Sequence, residues 1–157
     1  NSEVLAVGKG RFDILCELTE DAFDRLKPDQ ALLSAIDCRG VVVTAKGCEG
    51  SQDAKRAAVA MTASSAGSAS PPAIDFRSRF FAPRCGVPED PVTGSAHCML
   101  APYWVKLLQR SGPAGDDGAV VVGFQASKRA GIVRCKLQGG RVMLAGPCVT
   151  TLERSEE

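Results

Sequence analysis

Apolar and polar positions alternate over residues 11–18 (RFDILCEL), the period of a half-buried strand. Val4, Leu5 and Val7 place an earlier strand almost at the first residue. The β-branched run at 41–45 (VVVTA) predicts another. Between them, Thr19 followed by Glu20 and Asp21 has the form of a helix start, carrying Ala22, Phe23 and Leu26 before Pro28. Residues 30–36 predict a second short helix. Residues 74–82 predict a strand in which Arg77 and Arg79 alternate with Phe76 and Phe80, leaving one face wet.

Ala96, Met99, Leu100, Tyr103, Leu107 and Leu108 then fall on one helical face, with Pro102 expected to kink the helix or delete one of its hydrogen bonds. A Gly-Asp-Pro turn region spans 111–118. Short strands are expected at 120–124, 131–137, 141–144 and 148–152, the second and third joined by a hairpin at Gly139-Gly140. Residues 49–72 shift toward Ala, Ser and Gly and close on Pro71-Pro72. That composition predicts a flexible loop, with a short helix at 54–61 as the alternative. The tail at 153–157 is polar and expected to fray. Strands, one long amphipathic helix, then more strands describe a single α+β domain over residues 1–157, in which a sheet must cover the helix's wide apolar face.

Composition narrows the function classes. The formal charge is +1, from 19 basic and 18 acidic residues that are interspersed. No basic stripe or aromatic platform points to nucleic acid. No apolar run approaches a membrane span, and the first residues lack the basic-then-apolar layout of a signal peptide. The chain reads as a cut from the middle of a longer protein. Its seven cysteines (16, 38, 48, 85, 98, 135 and 148) are odd in number and scattered, without a CxxC pair, and one histidine completes no common zinc set. They read as reduced thiols in a cytoplasmic protein. A cysteine base at Cys85 or Cys98 is the weaker alternative, since Cys98 follows His97 directly and helical neighbours do not face each other.

The chemistry concentrates in residues 80–104, FFAPRCGVPEDPVTGSAHCMLAPYW. Pro91 disfavours the helical region for Asp90. Thr93, Gly94 and Ser95 suit a helix cap and first turn. The first amides of a helix have no internal partners and sit in positive potential, so an anion is held there without a cationic side chain. Gly94 removes a Cβ that would obstruct its approach. Asp90 beside such a cradle can move a proton near a bound carboxylate. Duller readings remain open. Asp90 can be a turn aspartate, and Thr93 and Ser95 ordinary caps. Glu89 can support its neighbour or point to solvent, and His97 can be a satisfied structural residue. Tyr103 and Trp104 fit a core or an interface between lobes, and Arg129 an anion site or a surface strand end.

Phe-Phe-Ala-Pro at 80–83, Gly86, Glu-Asp-Pro-Val-Thr-Gly-Ser-Ala at 89–96 and Pro-Tyr-Trp at 102–104 together resemble the signature of the phenazine-biosynthesis-like (PhzF-like) family. Gln125-Ala-Ser-Lys-Arg129 with Gly131 is similar to that family's Gln-x-Ser-x-Arg-Gly-Gly segment, with Ala130 in place of the first glycine. Residues 141–146 (RVMLAG) look like its closing strand. The resemblance covers nearly the whole chain, but only the C-terminal half of a family member. It implies one lobe of a diaminopimelate-epimerase-like fold, a curved sheet around a central helix, with the active site between two lobes. It also implies a cofactor-free and metal-free isomerase that works by proton transfer on a small carboxylate-bearing substrate. Asp90 then takes the catalytic position and Thr93, Gly94, Ser95 and Ala96 bind substrate, with Glu89 and His97 in support. The family's principal glutamate belongs to the N-terminal lobe, so this lobe is expected to be inactive, or nearly so, without that partner. Two other readings stand beside this one. One is a binding or regulatory module that kept the fold and lost the chemistry. The other is a homodimer in which identical lobes face each other's motif.

Overall fold

Thr19 accepts the Ala22 amide and Asp29 accepts the amides of Ala31 and Leu32, and these two caps start α1 (Glu20–Asp24) and α2 (Gln30–Ala35). The computed structural model describes residues 2–47 and 73–147, together with Asp53, Lys55, Arg56, Ala57 and Val59. The strands are β1 (Val4–Lys9), β2 (Asp13–Leu18), β3 (Gly40–Lys46), β4 (Phe76–Ala82), β5 (Val87–Asp90), β6 (Val120–Gln125), β7 (Gly131–Gln138) and β8 (Arg141–Ala145). The long helix, α3, spans Gly94–Leu107. Among the described residues these strands form one mixed sheet in the order β1-β2-β3-β4-β6-β7-β8, with β5 paired to β4. The pairs β2–β3 and β4–β6 are parallel and the rest antiparallel. The β7–β8 hairpin turns on Gly139 and Gly140, both at positive φ, as the sequence predicts.

The register of β4 explains where the loop after Asp90 lies. Its one edge is taken by β3 from Phe76 to Phe81. On the other edge β6 pairs with Phe76, Arg77 and Ser78, while β5 pairs with Phe80 and Ala82. Two strands thus share one edge end to end. Asp90 lies opposite Phe80 and Gln125 opposite Ser78, so the end of β5 meets the end of β6.

α3 packs on one face of the sheet, with Leu100, Ala101, Trp104 and Val105 buried against Leu15, Val42, Phe76, Phe80, Val121 and Val133. The buried stripe runs through Ala96, His97, Leu100, Ala101, Trp104 and Val105, rotated from the face expected at 96, 99, 100, 103, 107 and 108. Leu107 is 51% exposed. The rotation follows from two residues with polar handles that the apolar pattern undercounts. Trp104 donates its indole N–H to Thr44 Oγ1 at 3.0 Å, and His97 bonds the backbone at its own helix start. Pro102 lies within a continuous helix and on its exposed side, as does Cys98, whose carbonyl it leaves without the i+4 donor.

The opposite face is covered as well, which overturns the expected wet face of β4. α1 and α2 bring Ala22, Phe23 and Leu33 against Val41, Val43 and Phe81. Arg77 is 1% exposed there. It pairs with Asp24 and Asp53 and lies 4.8 Å over the Phe23 ring. Most of the loop expected at 49–72 lies outside the described residues. Asp53, Lys55, Arg56, Ala57 and Val59 are helical, and Ala57 packs on Val122, Phe124 and Ile132. The strand expected at 148–152 and the tail at 153–157 also lie outside the described residues. No helix among the described residues is long and apolar enough to cross a membrane.

Candidate functional site

Pro91 holds Asp90 extended at the end of β5, as its sequence position predicts. The chain then turns through Val92 and Thr93 into α3. Thr93 is the helix N-cap by position, yet its side chain makes no capping bond. Its hydroxyl instead donates to Asp90 Oδ2 in a short contact and accepts Gln125 Nε2 at 3.1 Å. The consequence lies in the amides. Within the described residues, no hydrogen bond reaches the N–H groups of Gly94, Ser95 or Ala96, and the first helical bond is from the His97 amide to the Thr93 carbonyl at 3.3 Å. Gly94 and Ser95 are exposed and Ala96 is buried. A Cβ added at Gly94 would meet only Leu144 Cδ1 at 3.5 Å, an ordinary contact, so packing does not demand glycine there.

Gln125 holds this loop in place. It is fully buried. Its Oε1 accepts the Thr93 amide at 2.7 Å, and its Nε2 donates to the Asp90 carbonyl at 2.7 Å and to Thr93 Oγ1. Both donors and the acceptor are used, which fixes the orientation of the amide. Two residues on, Ser127 Oγ donates to the Pro91 carbonyl at 2.8 Å and accepts the Ala130 amide at 2.9 Å. Ala130 stands at φ +61°, in the left-handed region, at the position where the resemblance expects glycine.

The remaining predicted residues take structural places around the loop. Glu89 forms a two-bond ion pair with Arg79, at 2.7 and 3.0 Å, and does not join Asp90. His97 is fully buried and donates Nδ1–H to the Thr93 carbonyl at 2.8 Å. Among the described residues its Nε2 has no hydrogen-bond partner, and burial holds its pKa below the ordinary 6.5 against the raising effect of the Thr93 bond. The neutral ring braces the helix start from inside and does not face solvent. Tyr103 donates to Glu17, away from the loop, and Trp104 is core. Burial pushes the Cys135 thiol up to about 12, while Cys85 and Cys98 are exposed. Among the described residues, no group of three or more His, Cys, Asp or Glu is placed to hold a metal ion.

Three contributors, Gln125, Ser127 and Arg39, have parts in the site that the sequence does not assign. Gln125 and Ser127 belong to the family-like segment at 125–131, which carries no assigned role in the sequence, and strand pairing brings them to the Asp90 loop. Arg39, immediately before β3, donates Nη2 to Ser95 Oγ at 3.1 Å while its guanidinium is forked on Asp13. The site therefore has one half-buried carboxylate, with Oδ1 lacking any partner among the described residues. It also has three free amides, and an arginine beside the first turn. Such an arrangement can hold a carboxylate and give or take a proton next to it.

A model of the family described as phenazine biosynthesis-like protein matches residues 7–154. An uncharacterized isomerase of Halalkalibacterium halodurans is 40% identical over 153 residues, covering 97% of this chain and 46% of the relative. A mouse phenazine biosynthesis-like domain-containing protein 1 is 35% identical over 85% of this chain and 41% of its own length. A crystal structure of a phenazine biosynthesis PhzF-family protein from Enterococcus faecalis superposes with a TM-score of 0.67 at 30% identity, covering 92% of this chain and 44% of that one. The chain thus spans about half the length of the curated relatives it matches.

Proposed function

Because the chain belongs to the phenazine biosynthesis-like protein family, some of whose members are named isomerases, we propose that it supplies one wall of a cofactor-independent isomerase acting by proton transfer on a small carboxylate-bearing substrate. The observation that carries this reading is the uncapped start of α3, where Thr93 turns from the helix to Asp90 and leaves the amides of Gly94, Ser95 and Ala96 free beside that carboxylate. In this reading the sheet curves around α3 as one diaminopimelate-epimerase-like lobe. The substrate carboxylate takes the three amides and the positive end of the helix. Asp90 removes or returns the proton on the neighbouring carbon. Gln125 and Thr93 hold it in place, so little reorganisation accompanies the transfer.

Proton shift needs a second group on the far side of the carbon. That group comes from an opposing lobe of the same fold, carried in the same polypeptide or by a second copy, and the isolated wall turns over slowly or not at all. The reading is tested by titrating the chain with pentanoate and following the backbone amides by 15N NMR. Gly94, Ser95 and Ala96 should shift together, and Asp90→Asn should retain that binding. Three unmoved amides would overturn the cradle. With both walls assembled, Asp90→Asn should slow solvent-deuterium exchange at the substrate carbon by roughly 10²–10⁴-fold, the range for a lost acid–base group. Undiminished exchange removes Asp90 from the chemistry.

A further inference from the structure

A second polar hollow, of about 490 Å³, opens where the β1–β2 turn meets the segment before β3, and Lys9, Arg11, Arg39, Arg84, Asp13 and Asp37 contribute to its lining. Four cations face two carboxylates there. Both carboxylates are already engaged, Asp13 by Arg39 and Asp37 by Arg84. That leaves the charge of Lys9 and Arg11 unmatched, and among the described residues neither side chain makes a hydrogen bond or an ion pair. Phe12, 55% exposed, carries the Arg11 guanidinium 5.0 Å and the Arg39 guanidinium 5.3 Å from its ring centre. Both cations thus lie near one ring that itself lines the hollow.

The fold places this hollow against the helix start. A Cβ at Gly10 would lie 2.6 Å from Met99 Sδ, so glycine lets the β1–β2 turn rest directly on α3. The Arg39 amide bonds the Phe12 carbonyl at 2.9 Å, fastening that turn to β3. Arg39 spends its Nε–H and one Nη2–H on Asp13 and the other Nη2–H on Ser95 Oγ. Its Nη1 donors have no partner among the described residues. One guanidinium therefore belongs both to the hollow and to the first turn of α3, next to the free amides. Asp13 orients it without using it up.

We propose that this basic hollow binds the second acidic group of a dianionic ligand whose first carboxylate rests on the amides of Gly94, Ser95 and Ala96, with Arg39 bridging the two subsites. The inference rests on the carboxylate cradle proposed above and sharpens it. The ligand class is a small molecule with two acidic groups, such as a dicarboxylate or a phosphorylated carboxylate, and a monoacid uses half the site.

Pentanoate and glutarate test this, since they share a carbon count and differ by one carboxylate. At low ionic strength, glutarate should bind the chain about tenfold more tightly, the gain from one added charge-assisted contact. It should shift the amides of Arg11, Phe12 and Arg39, which pentanoate leaves in place. In Lys9→Gln/Arg11→Gln the affinity ratio should fall toward one. Lys106→Gln/Lys136→Gln, an equal loss of charge at residues that do not line the hollow, should preserve it. Equal affinities in the native chain, or a ratio untouched by Lys9→Gln/Arg11→Gln, would overturn the proposal. The two failures are distinguishable. Shifts at Gly94, Ser95 and Ala96 with both acids, and none in the hollow, overturn the hollow alone. Shifts at Arg11 and Arg39, with none at the three amides, overturn the cradle and the bridging with it.

Discussion

On the face of the sheet that carries α3, the buried side chains are Leu15, Val42, Phe76, Phe80, Val121 and Val133, closed by Leu100 and Trp104. On the opposite face Phe23, Val41, Val43 and Phe81 share the interior with Arg77, whose charge is met by Asp24 and Asp53. The first face is held by apolar area and close packing, with the Trp104 indole N–H and His97 Nδ1 each finding one partner. The second depends on a desolvated ion pair that stabilises only while its partners stay in place. The candidate site loop sits on the first face and is braced from β6, so its geometry inherits the stiffness of an apolar core.

The contrast can be broken most forcefully at Trp104. Trp104→Ala should cost about 3–5 kcal/mol, as for other large aromatic truncations in cores, and leave Thr44 Oγ1 without its donor. Urea unfolding measures it, and a loss below 1 kcal/mol would mean that α3 is not the keystone of that face. Arg77→Met tests the other side. It should cost roughly 3 kcal/mol, the low end for breaking a buried pair, because the Asp24 side chain is 55% exposed and keeps water. Adding Asp53→Asn should recover part of that loss. A neutral Arg77→Met would show both faces to be alike.

His97 sharpens the comparison through pH. It is neutral and buried when folded, with its pKa lowered by burial, and it titrates near 6.5 when unfolded. The unfolded chain therefore binds the extra proton, so the contribution is complete above pH 6.5 and is lost as pH falls below it. The urea midpoint should drop more between pH 7.5 and 5.5 in the native chain than in His97→Gln. Equal drops would place the titration elsewhere. The smallest effect belongs to Ala130, packed beside Ile132 at positive φ. Ala130→Gly should stabilise by at most about 1 kcal/mol, the relieved left-handed strain less the entropy glycine adds to the unfolded chain. A destabilised variant would show the methyl contact to outweigh the strain.

Much of the fold is legible in the sequence. The β-branched run at 41–45, the Thr19 cap and the glycine hairpin each carry local signals, and each element lies where those signals put it. The Asp90–Pro91 turn was legible because proline constrains its neighbour. Other features depend on pairing between distant segments. Arg77 reads as exposed in an alternating strand, and only the docking of α1 makes it interior. The buried stripe on α3 lies about one residue from the face the apolar pattern predicts, because His97 and Trp104 are polar or amphipathic by type and their hydrogen bonds let them be buried. β5 was hidden because four residues ending in Glu-Asp have little strand character until the edge of β4 receives them. Gln125 stands in a family-like segment that assigns it no partner, Arg39 in no motif, and the contacts of both with the Asp90–Ser95 stretch follow from how the strands pair.

The parallel pairing of β4 with β6 has a kinetic consequence. Phe76 and Gly123 become neighbours only after the intervening chain, with β5 and α3, has closed into a loop, a slow entropic step compared with forming the β7–β8 hairpin. Gln125 reaches the Asp90 loop only once that closure has occurred. The brace on the Asp90 loop therefore depends on the closure of the whole crossover, and on the reading proposed above an occupant of the helix start would act as a latch that retards its opening.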